Sequence, residues 1–379
     1  MTINEPVLAY IQSHHQEAYS LLLELAQIPA PSNHEEKRAE FCKSWLQKQG
    51  ADGVYIDEAL NVIYPIGCTE DKPIAVFAAH SDVVFPDTEK LPLKVEDGWI
   101  HCPGIGDDTG NVVALMMAAK YIAEQKLQSK DWGILIVINS GEEGLGNLKG
   151  CRKLFEDYGN HIKEFITFDL GSDRLYDRAV GSRRFEISIK TQGGHSLNDF
   201  GKPNAIACLA ELIHDLYSVE VPKKGRTTYN VGTISGGTSV NTIAQDAKML
   251  YEFRSDERDS LNWMQNKLDE ILDYHREKGI DISCKVVGDR PCSGDVDQNM
   301  LTALADRAEK AAIRAFGAAP IRNAASTDCN IPLSLGIPAI CIGCLRGEGE
   351  HTREEKVEID SLYPGVRLCY ELVLYHFES

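Results

Sequence analysis

Apolar side chains in the first half of the chain follow two alternating patterns. Apolar positions three and four residues apart predict helices over residues 17–26, 35–49, 111–125 and 148–157. Short uninterrupted apolar runs predict strands over residues 73–79, 133–139 and 165–170. Strands that are apolar on both faces and separated by helices are typical of a largely parallel sheet covered on both sides. The pattern therefore predicts an α/β domain.

The pattern changes near Gly181, where residues 184–191 alternate apolar and polar side chains. The next segments predict, in order, helix 204–218, strands 227–235 and 247–254, helix 260–278 and strand 281–287. This βαββαβ order matches a ferredoxin-like unit. The α/β pattern returns after Pro291, with helix 298–316 and strand 337–342. We therefore predict an α/β domain of residues 1–181 and 293–379, interrupted by an inserted α+β domain of residues 182–292.

Charge and composition exclude two classes of partner. Asp and Glu number 57 against 39 Lys and Arg, giving a formal net charge of −18. Such a surface repels phosphate backbones, so nucleic acid is not expected as a partner. No apolar run reaches the roughly 18–20 residues that a membrane-spanning helix needs. The N-terminus also lacks a basic segment followed by an apolar core, so we expect no secretion signal.

The eleven cysteines are odd in number and scattered along the chain. A small secreted domain would carry a dense disulfide framework, so reduced thiols in a cytoplasmic protein are expected instead. Cys341 and Cys344 have CxxC spacing. No second CxxC completes a four-thiolate site, and this pair is interpreted as apolar packing.

Candidate acidic and imidazole side chains lie where the predicted parallel strands end. Such sheets bind ligands at this edge. The first strand runs into His80 and Asp82, which point to the same side because residues two apart in extended chain do so. An Asp beside a His is the usual partner that orients a metal-binding imidazole. Glu142 and Glu143 follow the second strand, and Asp169 lies near the end of the third.

Two loops add to this set: the turn GIGDDTG, which contains Asp107 and Asp108, and the segment GEHT, which contains His351. The turn alone could be a helix cap, and each histidine alone a structural one. Together the residues offer two imidazoles and several carboxylates, and buried carboxylate pairs need a cation or a proton. Mixed N/O ligands suit Zn²⁺, with Mn²⁺ and Co²⁺ as substitutes. Two ions sharing one carboxylate balance the charge better than one.

The motifs AAHSDVV, GIGDDTGN, NSGEEGLG, FDLGS and GEHT, with GGHS in the inserted region, resemble in the same order those of the M20 family of co-catalytic zinc peptidases. The resemblance spans nearly the whole chain. It implies a three-layer catalytic domain, a ferredoxin-like lid or dimerisation domain, and a dinuclear zinc metallopeptidase. It also implies a ligand set divided between two zinc ions: His80 and Asp169 on one, Glu143 and His351 on the other, and Asp107, before a cis peptide to Asp108, bridging both.

The resemblance assigns further roles around these ligands. Asp82 would orient His80, and Glu142 would be the general base for a water that bridges the zinc ions. His195 in GGHS would reach from the lid, or from a partner subunit, to stabilise the oxyanion. Less specific matches imply substrate contacts at Asn241, Arg254, Ser326, Thr327 and Asp328.

One position departs from the family pattern: many similar enzymes have Lys where this chain has Thr109. Because the residue is not a ligand, we expect altered packing or specificity with activity retained. Aspartate at position 169 resembles the aminopeptidase and dipeptidase branch, whereas glutamate is more usual in carboxypeptidases and deacylases. The DD turn and the GEHT loop also resemble the peptidase T-like branch.

The expected reaction is therefore removal of an N-terminal residue from a di- or tripeptide. The alternatives are an N-acyl-amino-acid deacylase or a carboxypeptidase of the same family. A peptide-binding protein on a retained hydrolase fold and a thiol-dependent hydrolase also stay open. The exposed edge strand of a ferredoxin-like lid could pair two copies of the chain in a homodimer.

Overall fold

The structure is a computed structural model that describes residues 3–377. The chain forms two compact units. The first contains the chain up to Arg178 and again from Asp295, and the second is Ala179–Gly294.

The first unit contains most of the helices. They are α1 (Glu5–Ser13), α2 (His15–Ala26), α3 (Glu36–Lys48), α4 (Gly110–Glu124), α5 (Lys149–Tyr158), α8 (Gln298–Phe316), α9 (Asn330–Ser334) and α10 (Leu362–Val373). The second unit contributes α6 (Ala205–Tyr217) and α7 (Arg258–Glu277).

The strands before the second unit are β1 (Tyr55–Ile56), β2 (Val62–Ile66), β3 (Ile74–His80), β4 (Lys94–Glu96), β5 (Trp99–His101), β6 (Gly133–Asn139), β7 (Ile162–Thr167) and β8 (Arg174–Ala179). Those of the second unit are β9 (Gly181–Lys190), β10 (Gly194–His195), β11 (Thr227–Gly236), β12 (Thr242–Ile243), β13 (Asp246–Ser255) and β14 (Asp281–Arg290). The last strands are β15 (Ile321–Ala325), β16 (Ala339–Ile342), β17 (Gly347–Glu348) and β18 (Lys356–Glu358).

An eight-stranded sheet organises the first unit, in the order β1-β2-β6-β3-β7-β16-β8-β15. Its four central strands, β6, β3, β7 and β16, run parallel. Every residue of β3 and β6 is buried, so both faces of the sheet are covered, as continuous apolar strands require. Helix α4 is almost wholly buried and packs against β3 and α10. The α/β prediction for this part of the chain is confirmed.

The second unit has a four-stranded antiparallel sheet in the order β11-β13-β9-β14. Apart from the short strands β10 and β12, its elements in chain order are β9, α6, β11, β13, α7 and β14, which is the predicted βαββαβ arrangement. Helices α6 and α7 close a separate core around Phe185, Leu209, Phe253 and Leu268. The predicted fold class, an α/β domain with an inserted ferredoxin-like α+β unit, is confirmed.

All eleven cysteines are free thiols. Cys341 and Cys344 are both completely buried, in agreement with packing rather than a metal site at this pair. Among the described residues, no helix is long and apolar enough to span a membrane.

Candidate active site

The carboxyl edge of the parallel strands brings the predicted acidic and imidazole groups together. His80 is the last residue of β3 and pairs with Asn139, the last residue of β6. Glu142 and Glu143 follow β6 after a short turn. Strand β7 ends at Thr167, earlier than predicted, so Asp169 lies in the loop beyond the sheet edge rather than in the strand.

Asp107 contacts both predicted histidine ligands, one with each carboxylate oxygen. Its Oδ1 lies 2.9 Å from His80 Nε2, and its Oδ2 lies 3.0 Å from His351 Nε2. On the His80 side, Asp169 Oδ1 lies 3.6 Å from the same Nε2. On the His351 side, Glu143 Oε1 lies 2.9 Å from its Nε2. The five side chains therefore form two groups that share Asp107.

These spacings fit ligands that surround a cation. Two ligands about 2.0–2.1 Å from a tetrahedral zinc ion lie about 3.3 Å from each other. The four distances between ligand atoms given above fall on both sides of that value, from 2.9 to 3.6 Å. Ligand atoms of His80, Asp107 and Glu143 lie within 4.8 Å of one another, and so do those of His80, Asp108 and Asp169.

The hydrogen bonding of His80 selects the tautomer that a metal needs. Its Nδ1 lies 3.0 Å from the backbone oxygen of Asp82, an atom that can only accept. Nδ1 therefore carries the proton, and in the neutral ring the lone pair of Nε2 faces the carboxylates of Asp107 and Asp169. Asp169 Oδ1 is buried without a hydrogen-bond partner among the described residues. A lone pair directed at carboxylate oxygens is stable only with a cation or a proton between them.

The electrostatics also favour cations. The carboxylates of Asp107 and Glu143 raise the pKa of His351 to about 11. Burial opposes protonation of His80, yet Asp108, Asp107 and Asp169 still raise its pKa. Each imidazole is thus surrounded by more negative charge than it can neutralise alone.

Asp82 contacts both His80 and the turn after β6. Its backbone oxygen lies 3.0 Å from His80 Nδ1, and its carboxylate Oδ1 lies 3.5 Å from the same atom. The carboxylate also accepts hydrogen bonds from the backbone N–H groups of Glu142 and Glu143, both at 2.9 Å, and from the hydroxyl of Ser32 at 2.7 Å. Asp82 therefore fixes the turn that carries both glutamates.

The peptide bond between Asp107 and Asp108 is cis, as the resemblance implies. Asp108 Oδ2 accepts from the backbone N–H of His80 at 2.8 Å, and Asn111 Nδ2 donates to Asp108 Oδ1 at 2.5 Å. Asp108 therefore ties the glycine-rich turn to the end of β3. The cap interpretation of this turn accounts for neither contact.

Thr109, the departure from the family pattern, has polar partners of its own. Its hydroxyl donates to the backbone oxygen of Gly104 at 2.6 Å and accepts from Arg38 Nη1 at 3.2 Å. Arg38 is completely buried and also donates to the backbone oxygens of Ser81 and Ile28. A buried guanidinium thus lies behind the acidic edge.

The sequence analysis did not predict a role for Arg38 or for Glu355. Glu355 is a buried carboxylate that accepts a hydrogen bond from the backbone N–H of Asp107. A single charged residue in a polar segment carries no signal of burial. Only the fold reveals either position.

Three predicted substrate residues follow β15. Ser326 is partly exposed, whereas Thr327 and Asp328 are buried. Thr327 Oγ1 accepts from the N–H of Cys329, and Asp328 Oδ2 accepts from Asn139 Nδ2 at 2.6 Å. Burial raises the pKa of Asp328 to about 7. Thr327 and Asp328 thus hydrogen-bond to protein groups behind the strand ends.

In the second unit, His195 and Asn241 lie at the short two-stranded sheet β10–β12, and Arg254 lies in the four-stranded sheet. His195 pairs with Thr242, and the backbone oxygen of Asn241 accepts from Ser196, so His195 and Asn241 are neighbours. Arg254 lies near the other end of β13, where it binds both carboxylate oxygens of Glu252 at 3.0 and 3.1 Å. Arg254 lies eight positions along β13 from Asp246, about 26 Å in an extended strand.

A sheet with four parallel central strands, and with convergent acidic and imidazole groups at their carboxyl edge, is the arrangement of an α/β metallohydrolase. Residues 76–375 match the profile of peptidase family M20/M25/M40, so the chain belongs to this family.

The chain is also similar to proteins of known sequence and of known structure. The uncharacterized protein YqjE of Bacillus subtilis is 24% identical, over 93% of this chain and 96% of that protein. A succinyl-diaminopimelate desuccinylase of Nitrosomonas eutropha is 28% identical, over 54% of this chain and 59% of its own length. The crystal structure of a tripeptidase from Staphylococcus aureus shares the fold, with a TM-score of 0.76 at 21% identity over 96% of this chain and 99% of that one.

Proposed function

We propose that this protein hydrolyses a peptide bond in small peptides, as a di- or tripeptide aminopeptidase, with two divalent metal ions. The observation that carries the proposal is the pair of contacts from the Asp107 oxygens to His80 and His351. A carboxylate so placed is suited to join two cations. Packing alone does not account for five convergent ionisable side chains at one sheet edge.

The donor set divides between the ions as follows: His80 and Asp169 would hold one, Glu143 and His351 the other, and Asp107 both. Imidazole and carboxylate donors suit Zn²⁺, and Co²⁺ or Mn²⁺ could substitute. Bound ions of this kind lower the pKa of a water and polarise a carbonyl group.

Glu142 is proposed as the general base. Its backbone is fixed by Asp82, and it lies next to a proposed ligand on a buried turn at the sheet edge. A carboxylate held there would accept a proton from the attacking water and deliver it to the leaving amine.

His195 is proposed as the donor to the oxyanion, from the same chain or from a partner subunit. The backbone N–H of Leu197 donates to His195 Nδ1 at 3.2 Å. In the neutral ring the proton therefore lies on Nε2, which leaves an N–H free to donate. Such a donor contributes a few kcal/mol to transition-state stabilisation.

Substrate contacts are proposed for Asn241, Arg254, Ser326, Thr327 and Asp328. The tripeptidase that shares the fold, together with Asp169 in the ligand set, favours peptides with a free N-terminus. The similarity to a desuccinylase supports the second candidate, an N-acyl-amino-acid deacylase, and a carboxypeptidase is a further alternative.

The assembly and compartment are also proposals. Edge strand β11 pairs with β13 on one side only, so its other side could pair with β11 of a second copy in a homodimer. Eleven free thiols favour a reducing compartment such as the cytoplasm.

A substrate panel tests the proposed reaction. The zinc-loaded protein should release the N-terminal residue from di- and tripeptides, and should not act on peptides with an acetylated N-terminus. Preferential hydrolysis of N-succinyl or N-acetyl amino acids would favour the deacylase instead. Activity that survives removal of metal by a chelator but is lost with a thiol-blocking reagent would contradict both.

A further inference from the structure

Glu355 is a buried carboxylate that binds the turn on which Asp107 lies. It precedes β18, four residues after His351, and its exposed fraction is 1%. Its Oε1 accepts from the backbone N–H groups of Gly106 at 2.8 Å and Asp107 at 2.9 Å, and its Oε2 accepts from Gly104 at 2.7 Å. Three peptide donors therefore converge on one side chain.

The backbone of Glu355 adds a fourth bond to the same segment, since its oxygen accepts from the N–H of Cys102 at 3.1 Å. The fit around the side chain is close. A Cβ at Gly106 would lie 3.2 Å from Glu355 Oε1, so this turn has little room for a larger residue. These four hydrogen bonds therefore join segment 102–107, which ends at Asp107, to the loop that carries His351.

In the proposed metal centre, the His80 half is the ion site of His80 and Asp169, and the His351 half is the ion site of Glu143 and His351. The two halves depend on the Glu355 hydrogen bonds to different degrees. The His80 half has supports of its own, because Asp108 binds the backbone of His80 and Asn111 binds Asp108. The His351 half lies on an exposed loop, and the side chain of His351 is 56% exposed. Glu355 is the first buried residue after His351.

We propose that Glu355 is a positioning residue that holds the His351 loop against Asp107 and sets the affinity of the ion bound by Glu143 and His351. The role rests on the two-ion site of the proposed function. It predicts an asymmetric loss: without the Glu355 carboxylate the His351 loop loses its side-chain hydrogen bonds to the turn of Asp107, whereas the contacts that hold His80 stay in place.

Calorimetric titration of metal-free protein with Co²⁺ tests this role. The wild-type protein should take up two ions. Glu355→Gln keeps the size of the side chain but directs an NH₂ group at a backbone N–H, so one of the three bonds is replaced by a clash of donors. We expect the affinity for one ion to fall about 10–100-fold, as for other residues that support metal ligands, and that for the other to stay unchanged.

Glu354→Gln is the matched control, because Glu354 is the exposed neighbour on the same loop and the change in charge is identical. This variant should bind both ions as the wild type does. Thermal unfolding of each metal-free variant checks that it folds. If Glu355→Gln fails to fold, Glu355→Asp, which keeps the charge but shortens the reach, should show a smaller loss at the same ion.

Equal affinities of wild type and Glu355→Gln for both ions would overturn the role, and so would an equal loss at both. Uptake of fewer than two ions by the wild type would instead contradict the proposed function, and this role with it. The two failures are therefore distinguishable.

Discussion

At the scale of single residues, the turn after β6 carries two glutamates with different contacts. Glu143 lies against His351, whereas Glu142 is tied to Asp82 through its backbone and is not among the five proposed ligands. The proposal assigns metal binding to the first and proton transfer to the second. Substitution of Glu142 should therefore affect turnover without affecting metal uptake.

Glu142→Gln should lower kcat by about 10²–10⁴-fold, the usual contribution of a general base, with KM little changed. Metal content measured on the same preparation should equal that of the wild type. Glu156→Gln, on the exposed face of α5, is the control and should keep full activity. Unchanged turnover in Glu142→Gln would assign the base elsewhere.

Arg38 is a residue whose role is structural support behind the site. Its guanidinium satisfies the backbone oxygens of Ile28 and Ser81 and the hydroxyl of Thr109. Arg38→Met leaves these buried acceptors without donors and should lower the free energy of unfolding by about 3 kcal/mol, measured by urea denaturation. Lys37→Met, at the exposed neighbouring position, should change it by less than about 0.5 kcal/mol. Equal effects of the two substitutions would contradict this role.

At the scale of elements, apolar patterning predicts those segments whose burial follows a simple period. Strand β6 and helix α8 have the predicted bounds. Strand β7 ends three residues early, because the chain leaves the sheet before Leu170, whose φ of 63° is incompatible with a strand. Helix α10 is not predicted at all, since Pro364 and Gly365 in its first turns are helix-breaking residues.

Tertiary packing explains α10. A Cβ at Gly365 would lie 1.9 Å from the backbone oxygen of Cys344, so the close approach of helix and strand end requires glycine. Farther along, the buried hydroxyl of Tyr370 donates to the backbone oxygen of Met117 in α4 at 2.6 Å. The second contact joins residues 253 positions apart, a separation that no local pattern contains.

Tyr370→Phe tests the contact between α10 and α4. Loss of this buried hydrogen bond should lower the free energy of unfolding by about 1–2 kcal/mol in urea denaturation, with the slope against denaturant unchanged. Tyr274→Phe, at an exposed position on α7, should have little effect. A Tyr370→Phe variant as stable as the wild type would show that α10 is held by apolar packing alone.

For the molecule as a whole, the sequence predicts the proposed metal ligands better than it predicts the residues that support them. Strand ends and the order of motifs point to His80, Asp107, Glu143, Asp169 and His351, and these side chains do converge. The supporting groups Arg38 and Glu355 come from segments with no motif. Their burial depends on the complete fold, so the sequence alone does not reveal them.

We propose that Asp107 joins two cations at the carboxyl edge of the sheet. Crystals of zinc-loaded protein, measured by anomalous diffraction at the zinc edge, would reveal both ions. We expect two peaks about 3.5–4 Å apart, one on each side of the Asp107 carboxylate. One peak should be bounded by His80 and Asp169, and the other by Glu143 and His351. A single peak at this edge, or peaks that do not contact Asp107, would show that Asp107 does not join two cations.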